Sequence, residues 1–372
     1  MIYFDDSATT KPHSEVIKLY EKIASEYWYN PSSPHQLGLI VDDLYQQAQD
    51  LVKKALNLNK DKFIYFTKGG TEANNFAIYG ICNSYLGQNK HIITTKIEHP
   101  SVLSCFEDLE SKGFEVTYLD VNQDGLIDVK ELCANLKNNT ILVSIQWVNN
   151  IIGAIQPIKD IINLLKNNPR IKLHVDGIQG IGKVQMDFDL NEIDLFSISA
   201  HKIHGLKGSG ILIYNSKLKL NALLKSIGTY PGTIDLPAVV ACSKALQMAM
   251  DSQDENNRRV KKLHEYLKNE ISKCNKIIIN GSQNNYSPYL FNVSIKGKNS
   301  ETVMHFLEQF GLIVATGSAC GSKLNKPEPT ILSISNDLAQ AKSSIRISLS
   351  PNHSIEDLKQ LVNHLIYFAQ SS

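Results

Sequence analysis

The chain is poor in cysteine and has no closely spaced cysteine pair. Six occur in 372 residues: Cys82, Cys105, Cys133, Cys242, Cys274 and Cys320. Thiols this sparse and scattered exclude a disulfide framework and a zinc knot, so no metal site is expected. Their default is a small buried hydrophobe. An excess of either charge is also lacking. Lys and Arg number 38 against 37 Asp and Glu, for a net charge of +1. No basic field exists to hold nucleic acid through its phosphates, so direct nucleic-acid binding is not expected. Long apolar runs are missing too, which excludes a bilayer-spanning helix. The first residues, MIYFDDSATTKP, have neither the basic start nor the apolar stretch of a signal peptide. The expectation is a cytoplasmic protein with no membrane partner.

What is present has an ordinary globular balance, with 42% hydrophobic and 20% charged residues. The length suits one large domain or two ordinary ones. Short β-branched or aromatic segments predict strands at 62–67, 91–95, 115–120, 140–148, 172–177, 195–199 and 210–215. Helices are expected between them. One spans Asp42 to Leu58, with Leu44, Ala48, Leu51, Val52 and Ala55 at helical spacing. Another starts just after Gly69–Gly70. Such alternation predicts an α/β fold with a mostly parallel seven-stranded sheet covered by helices on both faces. From about residue 256 the pattern changes to a charged helix, Asn256 to Ser272, then KIIIN, YLFNVSI and LIVAT, and a last helix after His353. The expected division is a large α/β domain over 15–255, and a small α+β domain made of 1–14 and 256–372.

Residues 120–131, DVNQDGLIDVKE, fit the calcium-loop pattern of an EF-hand at Asp120, Asn122, Asp124, Gly125, Asp128 and Glu131. The context does not fit. A strand-like EVTYL precedes the loop where a helix is required, and there is one copy only. A strand end, an Asp-Gly turn and a helix start at Asp128 account for the residues.

The chemistry concentrates elsewhere. HVDGIQ (174–179) and SISAHK (197–202) place Asp176 and Lys202 at the ends of two consecutive strands. A buried carboxylate needs a cationic partner. Pyridoxal 5'-phosphate would supply one in its pyridine nitrogen, while Lys202 forms a Schiff base with its aldehyde. A surface lysine and a structural aspartate are the plainer reading of each motif alone. FTKGGTEANN (66–75) would cradle the phosphate at a helix start, through Gly70 and Thr71. Ser199 and His201 flank the lysine and could bind the same group.

Taken together, YFDDSATT, NPSSPH, FTKGGTEANN, EHPSV, VNN, HVDGIQ, SAHK, GSAC and SSIR run nearly end to end. In these motifs the sequence resembles the cysteine desulfurases of the class V aminotransferase family, on the type I pyridoxal-phosphate fold. The resemblance implies that Lys202 is the Schiff-base lysine and moves the substrate α-proton. It implies that Asp176 pairs with the pyridine nitrogen, that Asn150 and Gln179 bond the phenolic-oxygen side, and that His99 stacks on the ring and takes part in acid–base steps. Gly70, Thr71, Ser199 and His201 match phosphate contacts. Thr233 matches a phosphate contact given by the other subunit, which implies a homodimer.

Cys320, in the polar GSACGS run, is read as the reactive thiolate. It would take sulfur from L-cysteine as a persulfide, leave L-alanine, and pass the sulfur on. The acceptor would be an iron–sulfur scaffold or a tRNA-thiolation enzyme. The following stretch, GSKLNKPEP (321–329), reads as a loop. Arg346 is the expected clamp for the substrate carboxylate, because a guanidinium fork meets a carboxylate bidentately. A selenocysteine lyase, another enzyme with this cofactor and fold, and a low-activity sulfur-transfer partner are the alternatives.

Three departures from the family stand out. Ile151 follows Asn149–Asn150 where an acid is usual. The turn after the lysine reads Gly205-Leu206-Lys207-Gly208. The segment before Gly232–Thr233 is short and lacks an arginine.

Overall fold

The computed structural model describes residues 1–221, 232–282, 284–317 and 327–371. Its strands are β1 (Ile2–Tyr3), β2 (Lys62–Thr67), β3 (His91–Thr95), β4 (Glu115–Leu119), β5 (Thr140–Gln146), β6 (Lys172–Asp176), β7 (Leu195–Ser199), β8 (Gly210–Asn215), β9 (Ile277–Asn280), β10 (Leu290–Ile295), β11 (Leu312–Ile313) and β12 (Ser344–Ser348). Four helices matter most for the site: α1 (Ser14–Glu26), α2 (Gln36–Ala55), α3 (Gly70–Cys82) and α4 (Pro100–Ser111).

Seven strands form one sheet in the order β2-β8-β7-β6-β5-β3-β4. All pairs are parallel except those of β8, which runs antiparallel to β2 and β7. The expected α/β fold with a mostly parallel seven-stranded sheet is what forms. Its strands are apolar on consecutive residues because helices cover both faces. Successive side chains point to opposite faces, so Ile92, Leu142, Leu195 and Leu212 enter one core and Ile93, Val143, Phe196 and Ile211 the other. Each such burial stabilises by about 1.5–3 kcal/mol.

The helix expected over Asp42–Leu58 runs instead from Gln36 to Ala55. His35 starts it by accepting the Gly38 N–H. Asn57, at φ 51°, ends it in the left-handed region, and Leu58 N–H closes back on Lys53 O. Val41, Tyr45, Ala48 and Val52 form its buried stripe.

A second layer follows. β9, β10 and β12 make an antiparallel sheet in the order β12-β10-β9, and β1 pairs with β11 in parallel. Its apolar cluster joins Phe4 to Val260, Leu267, Val293, Ile345 and Leu361. The helix expected over Asn256–Ser272 spans Gln253–Ile271, and the last helix spans Ile355–Gln370. No helix among the described residues is long and apolar enough to cross a membrane.

The calcium-like segment is a turn. Asn122 Oδ1 accepts the N–H groups of Asp124 and Leu126, Asp128 caps the next helix, and Asp120 pairs with Lys96. These oxygens are spent locally, and no metal-holding cluster occurs among the described residues.

Candidate active site

Parallel sheets place their loops, and so their sites, at the carboxyl ends of the strands. Here β6 ends on Asp176, β7 on Ser199, and β5 on Gln146. The turn after β3 carries Glu98 and His99, the latter as N-cap of α4. The turn after β2 leads through Gly69 into α3. A side chain at Gly70 would set its Cβ 2.2 Å from Ile178 Cδ1 and 3.3 Å from Ser199 Cβ. Glycine therefore lets the α3 N-terminus approach the turns after β6 and β7.

The result is a cavity of about 190 Å³ lined by Gly70, Thr71, His99, Asn150, Asp176, Gln179, Ser199, His201, Lys202 and Arg346, with Ser7, Ala8, Ser101, Gln146, Val148 and Ile178. Ten sequence-predicted residues thus meet in one place. Two do not. Thr233 is exposed and lines a separate pocket with Thr67, Gly210 and Asp235. Cys320 lies outside the described residues, as does the short segment over 222–231.

Asp176 sits at the cavity floor. Its Oδ1 accepts Ile178 N–H at 3.0 Å and its Oδ2 accepts Asn74 Nδ2 at 2.8 Å. Burial pushes the carboxyl up, against those two donors and Lys202. No ion pair to it exists among the described residues within salt-bridge distance. Lys202 donates to Ser7 O at 2.6 Å and Ala8 O at 2.8 Å. The N-terminal segment is pinned there because Thr10 donates, by backbone and hydroxyl, to His201 O. Burial lowers His99 and His201 to about 4, helped in both by Lys202, so both imidazoles are neutral near pH 7. Glu98 is buried and held well above the usual carboxylate range by desolvation. It accepts from Thr95 Oγ1 and Gln146 N–H and so anchors the turn that presents His99.

Arg346, on β12, is 2% exposed. Its Nη2 pairs with Asp5 Oδ1 at 2.8 Å and its Nη1 donates to Asn150 O at 3.1 Å. Among the described residues its buried Nε has no hydrogen-bond partner, and neither has buried Ser199 Oγ. Although β12 is at the edge of its three-stranded sheet, this burial rules out a surface position for the arginine.

The departures also find places. Ile151 is buried with Ile152, Ala154, Ile331 and Ile334, so an apolar cluster holds the position where an acid is usual. Leu206 packs on Val16, Ala241 and Ala245. Asp5, Ser7, Asn74 and Ser101 were not singled out in the sequence. All lie inside the quoted motifs YFDDSATT, FTKGGTEANN and EHPSV, which was the available signal. Among the other cysteines, Cys82, Cys105, Cys242 and Cys274 are buried, while Cys133 is exposed.

The chain was compared with known proteins. It is 36% identical over 371 residues to the cysteine desulfurase IscS of Clostridium botulinum, covering 98% of this chain and 93% of the relative. It is 36% identical over 368 residues to the NifS/IcsS protein homolog of Lactobacillus delbrueckii, covering 97% and 95%. Among solved structures, a NifS-like protein superposes with a TM-score of 0.91 at 28% identity, covering 99% and 98%. SspA in complex with cysteine superposes with a TM-score of 0.82 at 30% identity, covering 95% and 100%. The profile of the class-V aminotransferases matches residues 2–361. Over nearly its whole length, then, this chain belongs to the class-V aminotransferase family.

Proposed function

We propose that the protein is a cytoplasmic, pyridoxal-phosphate-dependent cysteine desulfurase, which converts L-cysteine to L-alanine and carries the sulfur as a persulfide on Cys320. The observation that carries the reading is the joint position of Lys202 and Asp176 in one cavity also lined by Ser199, whose hydroxyl has no partner among the described residues. The residues fit the cofactor. A buried carboxylate without an ion pair suits a protonated pyridine nitrogen. The start of α3 with Ser199 Oγ suits a phosphate. Thr71 and His201 would hold the same group, Asn150 and Gln179 its phenolic side, and Lys202 its aldehyde carbon. Bound there, the cofactor supplies an electron sink for the carbanion left when the α-proton departs.

The chain's own residues do the rest. Arg346 binds the substrate carboxylate, with its fork steadied by Asp5. Lys202 Nζ moves the α-proton, since its stem ends beside the cavity at Ser7 and Ala8. Cys320 Sγ, as thiolate, attacks the substrate sulfur. The new S–S bond forms as the C–S bond breaks, and that electron pair goes to the carbon, which is then protonated. Likeness to SspA, seen in complex with cysteine, supports the substrate. Names of relatives as cysteine desulfurase IscS support the reaction.

Homodimer formation is part of the proposal. Thr233 lines a pocket other than its own cavity, and Trp28, Leu37, Leu39 and Ile40 leave apolar surface exposed near the start of α2. So is the division into a large domain over 15–255 and a small one from 1–14 and 256–372, supported by two apolar clusters that follow it except at Leu290, which packs in the large-domain cluster. The persulfide would pass to an iron–sulfur scaffold or a tRNA-thiolation enzyme.

The test is alanine formed from L-cysteine with a thiol reductant, for wild type and Cys320→Ala, both first shown to bind the cofactor. Alanine from the wild type alone is expected. Equal alanine from both would remove Cys320 from the mechanism and leave a lyase. No alanine from either would overturn the enzyme reading.

A further inference from the structure

A short hydrogen-bond chain joins the cavity floor to the imidazole on its wall. Asn74 Nδ2 lies 2.8 Å from Asp176 Oδ2 and 2.9 Å from Ser101 Oγ. Ser101 Oγ lies 2.8 Å from His99 Nδ1, and the Ser101 backbone nitrogen lies 3.1 Å from the same ring atom. Asn74 and Ser101 are both buried.

The direction of each bond follows from chemistry. An amide NH2 only donates, and an ionised carboxylate only accepts. Asn74 must therefore turn Nδ2 toward Asp176, since the flipped amide would set two oxygens against each other. The second Nδ2 hydrogen goes to Ser101 Oγ, which thereby accepts. The single hydrogen of that hydroxyl is left to donate to His99 Nδ1. The Ser101 backbone N–H can do nothing but donate, and it points at Nδ1 too. Two donors converge on Nδ1, so the proton of a neutral ring sits on Nε2.

We propose that Asn74 and Ser101 are positioning residues that lock His99 as the Nε2–H tautomer, making His99 a hydrogen-bond donor to the reacting groups and not a proton acceptor. The sequence resemblance gives His99 a part in acid–base steps. In this geometry its Nδ1 lone pair is held by the Ser101 hydroxyl and backbone N–H, and the α-proton is left to Lys202. Burial keeps the ring neutral near pH 7, as the lock requires. The catalytic consequence rests on the proposed function, whereas the tautomer is a property of the chain with or without cofactor.

The experiment is nitrogen-15 NMR of histidine-labelled full-length protein, with and without pyridoxal phosphate, His99 being assigned by its loss in His99→Gln. Wild type is expected to show His99 protonated on Nε2 alone across neutral pH in both forms. Ser101→Ala, a small buried change, should shift the tautomer ratio about fivefold toward Nδ1–H, the worth of one neutral hydrogen bond. Ser101→Thr should restore it, and Asn74→Ala should give a smaller shift in the same direction. A merely structural role would change the melting temperature and leave the tautomer alone. Nδ1–H or a doubly protonated ring in the wild type would overturn the proposal, as would an unchanged tautomer in Ser101→Ala. Failure to bind cofactor would sink the proposed function while leaving this readout intact.

Discussion

His174 should make the fold sensitive to acid, and one substitution should remove a known share of that sensitivity. The ring is wholly buried in β6, with Nδ1 2.8 Å from Ser144 Oγ and Nε2 3.0 Å from Ser197 Oγ. Burial lowers it to about 3. In the unfolded chain an ordinary imidazole titrates at about 6.5. Its folded value is depressed, so below about 6.5 the unfolded state binds more protons and stability falls with falling pH. That loss continues until the folded ring itself titrates, near 3. From pH 7 to pH 5 the difference is about 1.5 units at about 1.4 kcal/mol each, or about 2 kcal/mol. His174→Gln keeps one donor and one acceptor for the two serines and cannot titrate. Urea unfolding of cofactor-free protein at both pH values, followed by fluorescence, gives the comparison. Trp147 reports the core, being 1% exposed, whereas Trp28 is at the surface. The variant should lose about 2 kcal/mol less than wild type over this interval. Equal losses in the two proteins would refute the reasoning, whatever the absolute stabilities.

Asp5→Ala leaves the Arg346 guanidinium buried without its anion, so it should cost about 3 kcal/mol in urea unfolding and raise KM for cysteine; an unchanged midpoint would refute a stabilising pair. Gly177→Ala would place a Cβ 2.0 Å from Phe196 Cζ, in a ring that is itself buried. Overpacking there should cost about 1–3 kcal/mol, read as a lower melting temperature. Ser199→Ala should weaken cofactor binding about fivefold in equilibrium dialysis, the worth of one hydrogen bond. Calcium titrated calorimetrically should give no binding heat, and a saturable heat lost in Asp124→Ala would restore the EF-hand reading of 120–131.

What could be read in the sequence follows from how local its cause is. All seven strands of the large sheet were located to within two residues, because strands buried on both faces are dense in β-branched and aromatic residues and end in polar turns. Lys202 and Asp176 stood out because lysine and aspartate at the ends of apolar strands demand an explanation. The start of α2 was missed by six residues, since its first turns present Leu37, Leu39 and Ile40 outward and blur the helical stripe. Asn74 and Ser101 are harder still. Each is an ordinary polar residue in the first turns of its own helix, and each acquires a role only where α3 and α4 meet above β6. Asp5 and Arg346 lie 341 positions apart. Nothing near either residue says that its partner exists. Once β1 and β11 pair, however, Phe4 enters the same core as Ile345 and Ile347. The next side chain along, Asp5, is then delivered to the buried guanidinium. The clamp expected of Arg346 therefore depends on the first few residues of the chain, and the fold supplies that dependence through packing rather than through any motif.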